Sequence, residues 1–476
     1  MTTPAANGIQ FEVRSPPSPV VKPTVNRRQV IALPLALSLP SVTLGADYAY
    51  GTGASAAPRS SAPRFALLVG NRAYPSPFDL PPVHKNLRDV QAALEKRGFE
   101  VTVVSDKDVK VLRDAMQAFA RRVQAAPADA TVLFYFTGHG MQVDAENLLL
   151  GAGTNPSGKE DTLLGNGLML KRDLVDALPH RPKGLSMVVI DACRTSLRAE
   201  GGLNQVEAPL GCLIAFATGA GKPAIAPAVE TQNTFYTASL VKVMQSASDD
   251  TTFSDLFRLV KLDVQQTMLN HPIQAIRAVA QFPFIAENTQ IRTRLALKPA
   301  APGGEVAFEN VDEKTLWKQV EDSYWPGDVV KRADEYLKRF PGGKLAGSAQ
   351  VAREGATDAA KAMQRNDVRL FKSAFSPKPE SPDSLLRELR KAAWGDKDAA
   401  ARIARMYRQG QDGVSTDSNR FEGWMQFASA LGNGIASYEL ALYYRGQDQP
   451  LLAAQFESRA RELGYTPPPT LDHYRK

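Results

Sequence analysis

The chain has 476 residues, of which 43% are hydrophobic and 22% are charged, so we expect two or three soluble domains. Its formal net charge of +7 comes from scattered lysines and arginines. Because there is no basic block with interleaved aromatic residues, no nucleic-acid partner is predicted. Two cysteines exclude a disulfide-rich scaffold and a cysteine-rich zinc site.

The N-terminal segment has the composition of an export signal. Arg27 and Arg28 precede an uncharged run rich in leucine and alanine over residues 29–46, and small residues follow at 54–56. This order resembles a twin-arginine signal, although two aliphatic residues replace the Phe and Leu that are common there. The run is short and broken by prolines, so no stable membrane span is predicted. We expect residues 1–56 to be an export signal and tail of a periplasmic or secreted protein. The alternative is a disordered tail on a cytoplasmic protein.

From residue 64, strand-like and helix-like stretches alternate. In chain order they read RFALLVGN, NLRDVQAALEKRGF, EVTVVSD, VKVLRDAMQAFARRVQAA, ATVLFYFTGHG, KRDLVDALPHR, LSMVVIDAC, GCLIAFATGAG and FSDLFRLVKLDVQQTML. The alternation predicts βαβ units with right-handed crossovers around a mainly parallel sheet. We assign this α/β domain to residues 57–294.

The remainder of the chain is predicted to be helical. A Pro/Gly/Ala-rich linker over residues 295–310 precedes a helical hairpin region, 311–375, with a Phe-Pro-Gly turn between its helices. After a second proline-rich linker, residues 385–476 contain two similar helical pairs, which begin AAARIARMYRQGQDG and GIASYELALYYRGQDQ. These pairs are similar to short tetratricopeptide-like repeats, which usually contact proteins, so a protein partner is expected there.

Two of the predicted strands end in reactive side chains. His139 lies between glycines in TGHG, and Cys193 ends VVIDAC. Functional groups collect at the carboxyl ends of strands in such sheets, and an imidazole activates a neighbouring thiol. Alone, the cysteine would be a core residue and the histidine structural; together they favour a catalytic dyad. Their separation is close to the roughly 50 residues between His and Cys in caspases.

The chain resembles the caspase–metacaspase family of cysteine peptidases. The matching stretches are FALLVGNRAY, NLRDVQAALEKRGFEV, VLFYFTGHGMQVDAENLLL, SMVVIDACR, LIAFAT and NTFYTASL. The resemblance implies a caspase-like α/β/α sandwich with a mostly parallel sheet and peptide hydrolysis through an acyl-enzyme. It implies His139 as general base or imidazolium partner, Cys193 as nucleophile, and the N–H groups of Gly140 and Cys193 as oxyanion hole.

Charge near the nucleophile predicts the substrate preference. Asp191 precedes Cys193 by two residues and should emerge on the same side of the strand. Metacaspases place an acid there and another at the position of Asp89, and Thr137 matches a small hydroxyl residue of the same pocket. Two acids suit a guanidinium or ammonium, so we expect cleavage after Arg or Lys. Alternatively, Asp191 hydrogen-bonds to a turn, and Asp89 is a solvated or capping residue.

The polar stretch that follows Cys193 is predicted to be a loop of the kind that this family cuts during activation. Arg194 and Arg198 are then candidate self-cleavage sites. No D-x-D-x-D-G calcium loop is present, but some metacaspases need calcium, so calcium dependence stays open. No other cofactor or metal is predicted. Cys212 begins a strand and is expected in the core.

The resemblance also implies a monomer that acts on peptide or protein substrates. The alternative function is that of a non-catalytic scaffold, in which the helical repeats recruit protein partners and the α/β domain is inactive.

Overall fold

The computed structural model describes residues 62–143, 146–194, 205–219, 224–297 and 308–466. The predicted export signal and tail, residues 1–56, lie outside the described residues. From residue 61 onward the chain forms one compact unit, in which an α/β part precedes an all-helical part.

A mostly parallel sheet organises the α/β part. Its path in space is β2-β1-β3-β6-β7-β8, and β4 and β5 continue from the end of β3 as an antiparallel extension. Only β8 on the main path is antiparallel to its neighbour. The strands are β1 (Arg64–Gly70), β2 (Phe99–Ser105), β3 (Thr131–Val143), β4 (Glu146–Leu150), β5 (Gly167–Met169), β6 (Leu185–Arg194), β7 (Cys212–Phe216) and β8 (Phe284–Asn288).

Helices cover both faces of this sheet, which explains why its central strands are continuous apolar runs. On one face α1, α4 and α5 pack side by side, and α2 covers the other. Phe134 and Phe136 of β3 pack among the residues of α2, whereas the Tyr135 hydroxyl contacts Thr237 of α4. The helices of this part are α1 (Val83–Lys96), α2 (Val109–Gln124), α3 (Glu160–Gly165), α4 (Phe235–Ser246), α5 (Phe253–Leu269) and α6 (Gln274–Ala278).

The predicted strand and helix order is confirmed, with two differences. The stretch KRDLVDALPHR does not form a full helix but a single π-helical turn, Leu170–Val175. Pro179 follows closely, and the residue before a proline disfavours helical backbone, so the helix does not propagate. The antiparallel strands β4, β5 and β8 were not predicted. All three are short; β4 pairs with the end of β3 directly before it, whereas β8 pairs with β7, which is distant in the sequence.

The described part of the chain after residue 308 contains eight α-helices and one short 3₁₀ helix, Lys372–Phe375. The predicted hairpin region contains three helices instead of two, because Pro326 starts a new helix where its missing N–H is tolerated. The helical pairs predicted near the C-terminus are present. The helices are α7 (Val311–Glu321), α8 (Pro326–Arg339), α9 (Ala346–Met363), α10 (Asp383–Ala393), α11 (Lys397–Gln409), α12 (Ser418–Ala430), α13 (Gly434–Gly446) and α14 (Pro450–Glu462).

The helical part lies against the β8 edge of the sheet. Helix α11 packs on β8, and α9 packs on α5. The Glu287 N–H donates to Asp398 at 3.0 Å, and Arg402 donates to the Glu287 carbonyl at 2.9 Å. An edge strand otherwise exposes unpaired backbone groups, so these side chains satisfy part of that edge.

Candidate active site

Strands β3 and β6 bring the two predicted catalytic residues together. In their parallel ladder His139 pairs with Cys193, and Thr137 pairs with Asp191. Neighbouring strands lie about 4.8 Å apart, and positions paired across a parallel ladder share one face of the sheet. The backbones of His139 and Cys193 are therefore direct neighbours at the carboxyl ends of two central strands.

A backbone carbonyl fixes the imidazole of His139. Its Nε2 lies 2.7 Å from the carbonyl oxygen of Phe78, and a carbonyl can only accept a hydrogen bond. The neutral ring therefore carries its proton on Nε2 and has an unprotonated Nδ1. Nδ1 is buried and finds no hydrogen-bond partner among the described residues. This nitrogen is available to accept a proton.

Tyr74 holds the same histidine from a second side. The His139 N–H donates to the Tyr74 hydroxyl at 3.1 Å, and that hydroxyl donates to the Leu150 carbonyl at 3.0 Å. The Tyr74 and His139 rings meet edge to face, with centroids 4.5 Å apart. Only 5% of His139 is exposed, and this burial lowers its pKa below the ordinary value of 6.5. The hydrogen bond to the Phe78 carbonyl raises the pKa but does not cancel the effect of burial.

Sequence reasoning assigned no role to Tyr74 or Phe78. They precede His139 by 65 and 61 residues, in the connection from β1 to α1. Tyr74 belongs to the family-like stretch FALLVGNRAY, which was the available signal. The contact itself requires the folded sheet, because β1 is the neighbour of β3.

The glycines beside His139 are required by close packing. A Cβ on Gly138 would lie 2.8 Å from the Phe136 ring and 2.9 Å from the Tyr74 hydroxyl. A Cβ on Gly140 would lie 2.9 Å from that of Ala192 on β6. Gly140, predicted to contribute to the oxyanion hole, pairs with β6 on one side and with β4 on the other.

Asp191 lies in a buried polar cluster between the sheet and α4. It is 4% exposed, and its Oδ2 accepts hydrogen bonds from the hydroxyls of Thr234 and Thr237, the latter at 2.5 Å. Asn86 of α1 donates to Thr137 at 3.1 Å and to Thr234 at 3.2 Å. Burial raises the pKa of Asp191, and the threonine hydroxyls partly oppose this.

Asp89 is more open to solvent and lies beside this cluster. It accepts hydrogen bonds from Lys85, one helical turn earlier, at 2.6 Å and from Asn233 at 2.9 Å. Asn233 immediately precedes Thr234, which binds Asp191. Consecutive residues at the start of α4 therefore contact the two acids that were predicted to share a pocket. Sequence reasoning missed the residues that connect them: Asn86, Asn233, Thr234 and Thr237.

The other predicted residues are placed as follows. The Arg194 backbone pairs with Gly140, and Arg198 lies outside the described residues. Cys212 is buried at the start of β7, as expected of a core residue, and burial raises its pKa to about 12.

The described part of the chain offers neither a metal centre nor a membrane span. It contains no cluster of three or more histidine, cysteine, aspartate or glutamate residues that could hold a metal ion. Nor does any helix in that part have the length and hydrophobicity needed to cross a membrane.

Comparison with known proteins finds a family model that matches the α/β part of the chain. Residues 63–293 match the family model of the caspase domain, Peptidase_C14. The crystal structure of caspase-1 from Spodoptera frugiperda aligns over 54% of this chain and 100% of that chain, with 18% sequence identity and a TM-score of 0.39. No curated protein gives a significant match. The α/β part of this chain is thus similar to caspase domains.

Proposed function

We propose that this chain is a cysteine endopeptidase of the caspase–metacaspase type, in which Cys193 is the nucleophile and His139 the general base. The observation that carries the proposal is the state of His139. Its Nε2 is bound to the Phe78 carbonyl, its Nδ1 is buried without a described partner, and its backbone pairs with that of Cys193. A base held in one tautomer beside a cysteine is the arrangement that thiol activation needs.

The reaction follows from these positions. The Cys193 thiol gives its proton to Nδ1 of His139, and the thiolate attacks the carbonyl carbon of the scissile bond. The N–H groups of Gly140 and Cys193 stabilise the resulting oxyanion. The imidazolium then protonates the leaving amine, which leaves an acyl-enzyme. Water, deprotonated by His139, attacks the thioester and releases the acid.

The two acids support a preference for Arg or Lys before the cleaved bond. Asp89 already binds a cation, the Lys85 ammonium, and it is close to the residues that bind Asp191. A substrate guanidinium would replace the Lys85 ammonium and add the contribution of a second carboxylate. Thr137 is the register partner of Asp191 and belongs to the same hydrogen-bonded cluster.

Three further expectations belong to the same proposal. The enzyme is exported through its N-terminal segment, it acts as a monomer, and it cuts itself after Arg194 or Arg198 once active. The C-terminal helical pairs are tetratricopeptide-like. Whether the enzyme requires calcium is measured in the hydrolysis assay described next.

The test is hydrolysis of fluorogenic peptides that end in Arg, Lys or Asp, with and without calcium. Wild type should cleave the Arg and Lys peptides, and Cys193→Ala should abolish this. Cys212→Ala is the matched control, because it removes the buried thiol, and it should retain activity. Cleavage by Cys193→Ala at the wild-type rate would disprove the dyad, and cleavage of only the Asp peptide would disprove the acidic pocket. An intact wild type inactive on every peptide would favour the scaffold function.

A further inference from the structure

The segment that leads into β7, residues 205–208, lies between the two parts of the molecule. These are the first described residues after Arg194. Val206 and Ala208 are buried in the same apolar cluster as Phe136 and Ile190 of the sheet. The alternate residues of this segment, 205 and 207, contact the helical part instead. The segment is therefore anchored on both sides.

Gln205 makes four hydrogen bonds to the helical part, all to backbone groups. Its N–H donates to the carbonyl of Gly464 at 3.3 Å, and its Nε2 donates to the carbonyls of Leu463 at 2.6 Å and Gly432 at 3.4 Å. Its Oε1 accepts from the N–H of Gly434 at 2.9 Å. These groups lie at helix ends, where backbone donors and acceptors have no partner within the helix. A glutamine amide can satisfy both kinds at once.

The helical part is shaped to receive this side chain. A Cβ on Gly434 would lie 3.2 Å from the Gln205 Oε1 and 2.9 Å from the Cβ of Tyr465. A larger residue at 434 would therefore crowd the amide. Gly432 and Gly464, the other two glycines of the site, have φ values of +99° and +80°, which L-residues rarely adopt.

Two more contacts reach the same end of the helical part. Glu207 pairs with Arg405, which also binds Glu439. On the other strand of the candidate active site, the Gln142 amide donates to the Thr466 hydroxyl at 2.8 Å. Gln142 lies three residues after His139. The end of β3 and the segment before β7 therefore contact residues 463–466 or the helices beside them.

We propose that the ends of α12 and α14 and the start of α13 form a peptide-binding site whose ligand is the chain's own residue Gln205. Gln205 thereby acts as a positioning residue for the strand of Cys193, because it holds Val206 and Ala208 in the apolar cluster that contains Ile190 of that strand. The kinetic part of this proposal rests on the proposed peptidase function; the binding part does not. The helical pairs thus use this site within the chain, in addition to any partner that they bind elsewhere.

The test compares Gln205→Glu and Gln205→Ala in the full chain. Glutamate keeps the size of glutamine but would direct an oxygen at the carbonyls of Leu463 and Gly432, and alanine removes the contacts without repulsion. Hydrogen–deuterium exchange is measured in a Cys193→Ala background, which prevents self-cleavage. We expect exchange over residues 205–211 to become about tenfold faster in both variants. The unfolding midpoint should change little, which distinguishes local release from misfolding.

Kinetics with the Arg peptide, in the presence of Cys193, tests the positioning role. Both variants should lower kcat more than they change KM, whereas Gln411→Glu, the same change on an exposed turn after α11, should alter neither. Unchanged exchange over residues 205–211 would overturn the binding site. Faster exchange with wild-type kcat would overturn the positioning role. Inactivity of the wild type would instead refute the proposed function, and the exchange result would still decide the binding site.

Discussion

His139 lies in surroundings that keep its ring neutral and oriented. Burial disfavours the charged imidazolium, and the Phe78 carbonyl holds the Nε2 proton. The Tyr74 ring and hydroxyl limit rotation of the residue. The unprotonated Nδ1 is therefore held in a fixed orientation, which is what the proposed role of His139 as general base requires.

Asp89 allows a test of the acidic pocket by a single charge removal. Asp89→Asn should lower kcat/KM for the Arg peptide by about 10- to 100-fold, since a charge-assisted hydrogen bond is lost. The measurement is steady-state hydrolysis of Arg peptides. Asp114→Asn is a matched control, because Asp114 also pairs with a lysine one turn earlier but lies on α2, on the opposite face of the sheet. Equal effects of the two substitutions would contradict a specificity role for Asp89.

At the scale of elements, the end of β3 combines a packed strand with the position of the proposed general base. The strand continues past the end of its partner β1 and pairs there with β4, while β6 pairs with it as far as Gly140. Its glycines allow Tyr74 and Ala192 to approach the backbone on either side of His139. The pattern TGHG therefore has a packing function in addition to any contribution to oxyanion binding.

Gly138→Ala should reveal this packing function. The added methyl group would collide with the Phe136 ring and the Tyr74 hydroxyl, so we expect a loss of about 1–3 kcal/mol in the free energy of unfolding. The displaced Tyr74 should also lower kcat. Urea unfolding and peptide hydrolysis measure the two effects. Gly165→Ala, with no atom within 4 Å of the new Cβ, should leave both unchanged, and a Gly138 variant equally unchanged would contradict the packing argument.

At the scale of the whole molecule, buried charges join the helical part to the sheet. Glu287 on β8 is 4% exposed and binds Arg258 at 2.7 Å, and Arg258 also reaches Asp396 at 3.3 Å. Burial alone would raise the pKa of Glu287, but Arg258, Lys391 and two hydroxyl groups lower it below its ordinary value of 4.5. The carboxylate is therefore a stabilising charge at neutral pH.

This pKa shift predicts loss of stability in acid. A carboxylate with a depressed pKa stabilises the folded state fully above pH 4.5, and the contribution is lost progressively as the pH falls from 4.5 to the folded-state pKa of about 2. Each unit of depression corresponds to about 1.4 kcal/mol. We expect the thermal unfolding midpoint of wild type to decrease as the pH is lowered from 6 to 3. In Glu287→Gln this decrease should be smaller.

Two substitutions serve as comparisons for this pH test. Glu287→Gln should also cost about 3–5 kcal/mol at pH 7, because it leaves Arg258 with a weaker set of partners. Glu321→Gln, which removes a carboxylate from the more exposed pair with Arg292, should change stability by less than about 1 kcal/mol. Parallel pH profiles for wild type and Glu287→Gln would show that Glu287 does not carry the acid sensitivity.

The sequence by itself determined the alternating strands and helices, the caspase resemblance and the strand ends that carry His139 and Cys193. These follow from hydrophobic periodicity and short motifs, which are local properties. Tertiary structure alone decided the partners: the Phe78 carbonyl and Tyr74 at His139, the threonines at Asp191, and the helix ends at Gln205. Those contacts join residues tens to hundreds of positions apart, and several use backbone groups, which are the same at every position. No residue pattern records which of them will meet until the sheet order brings them together.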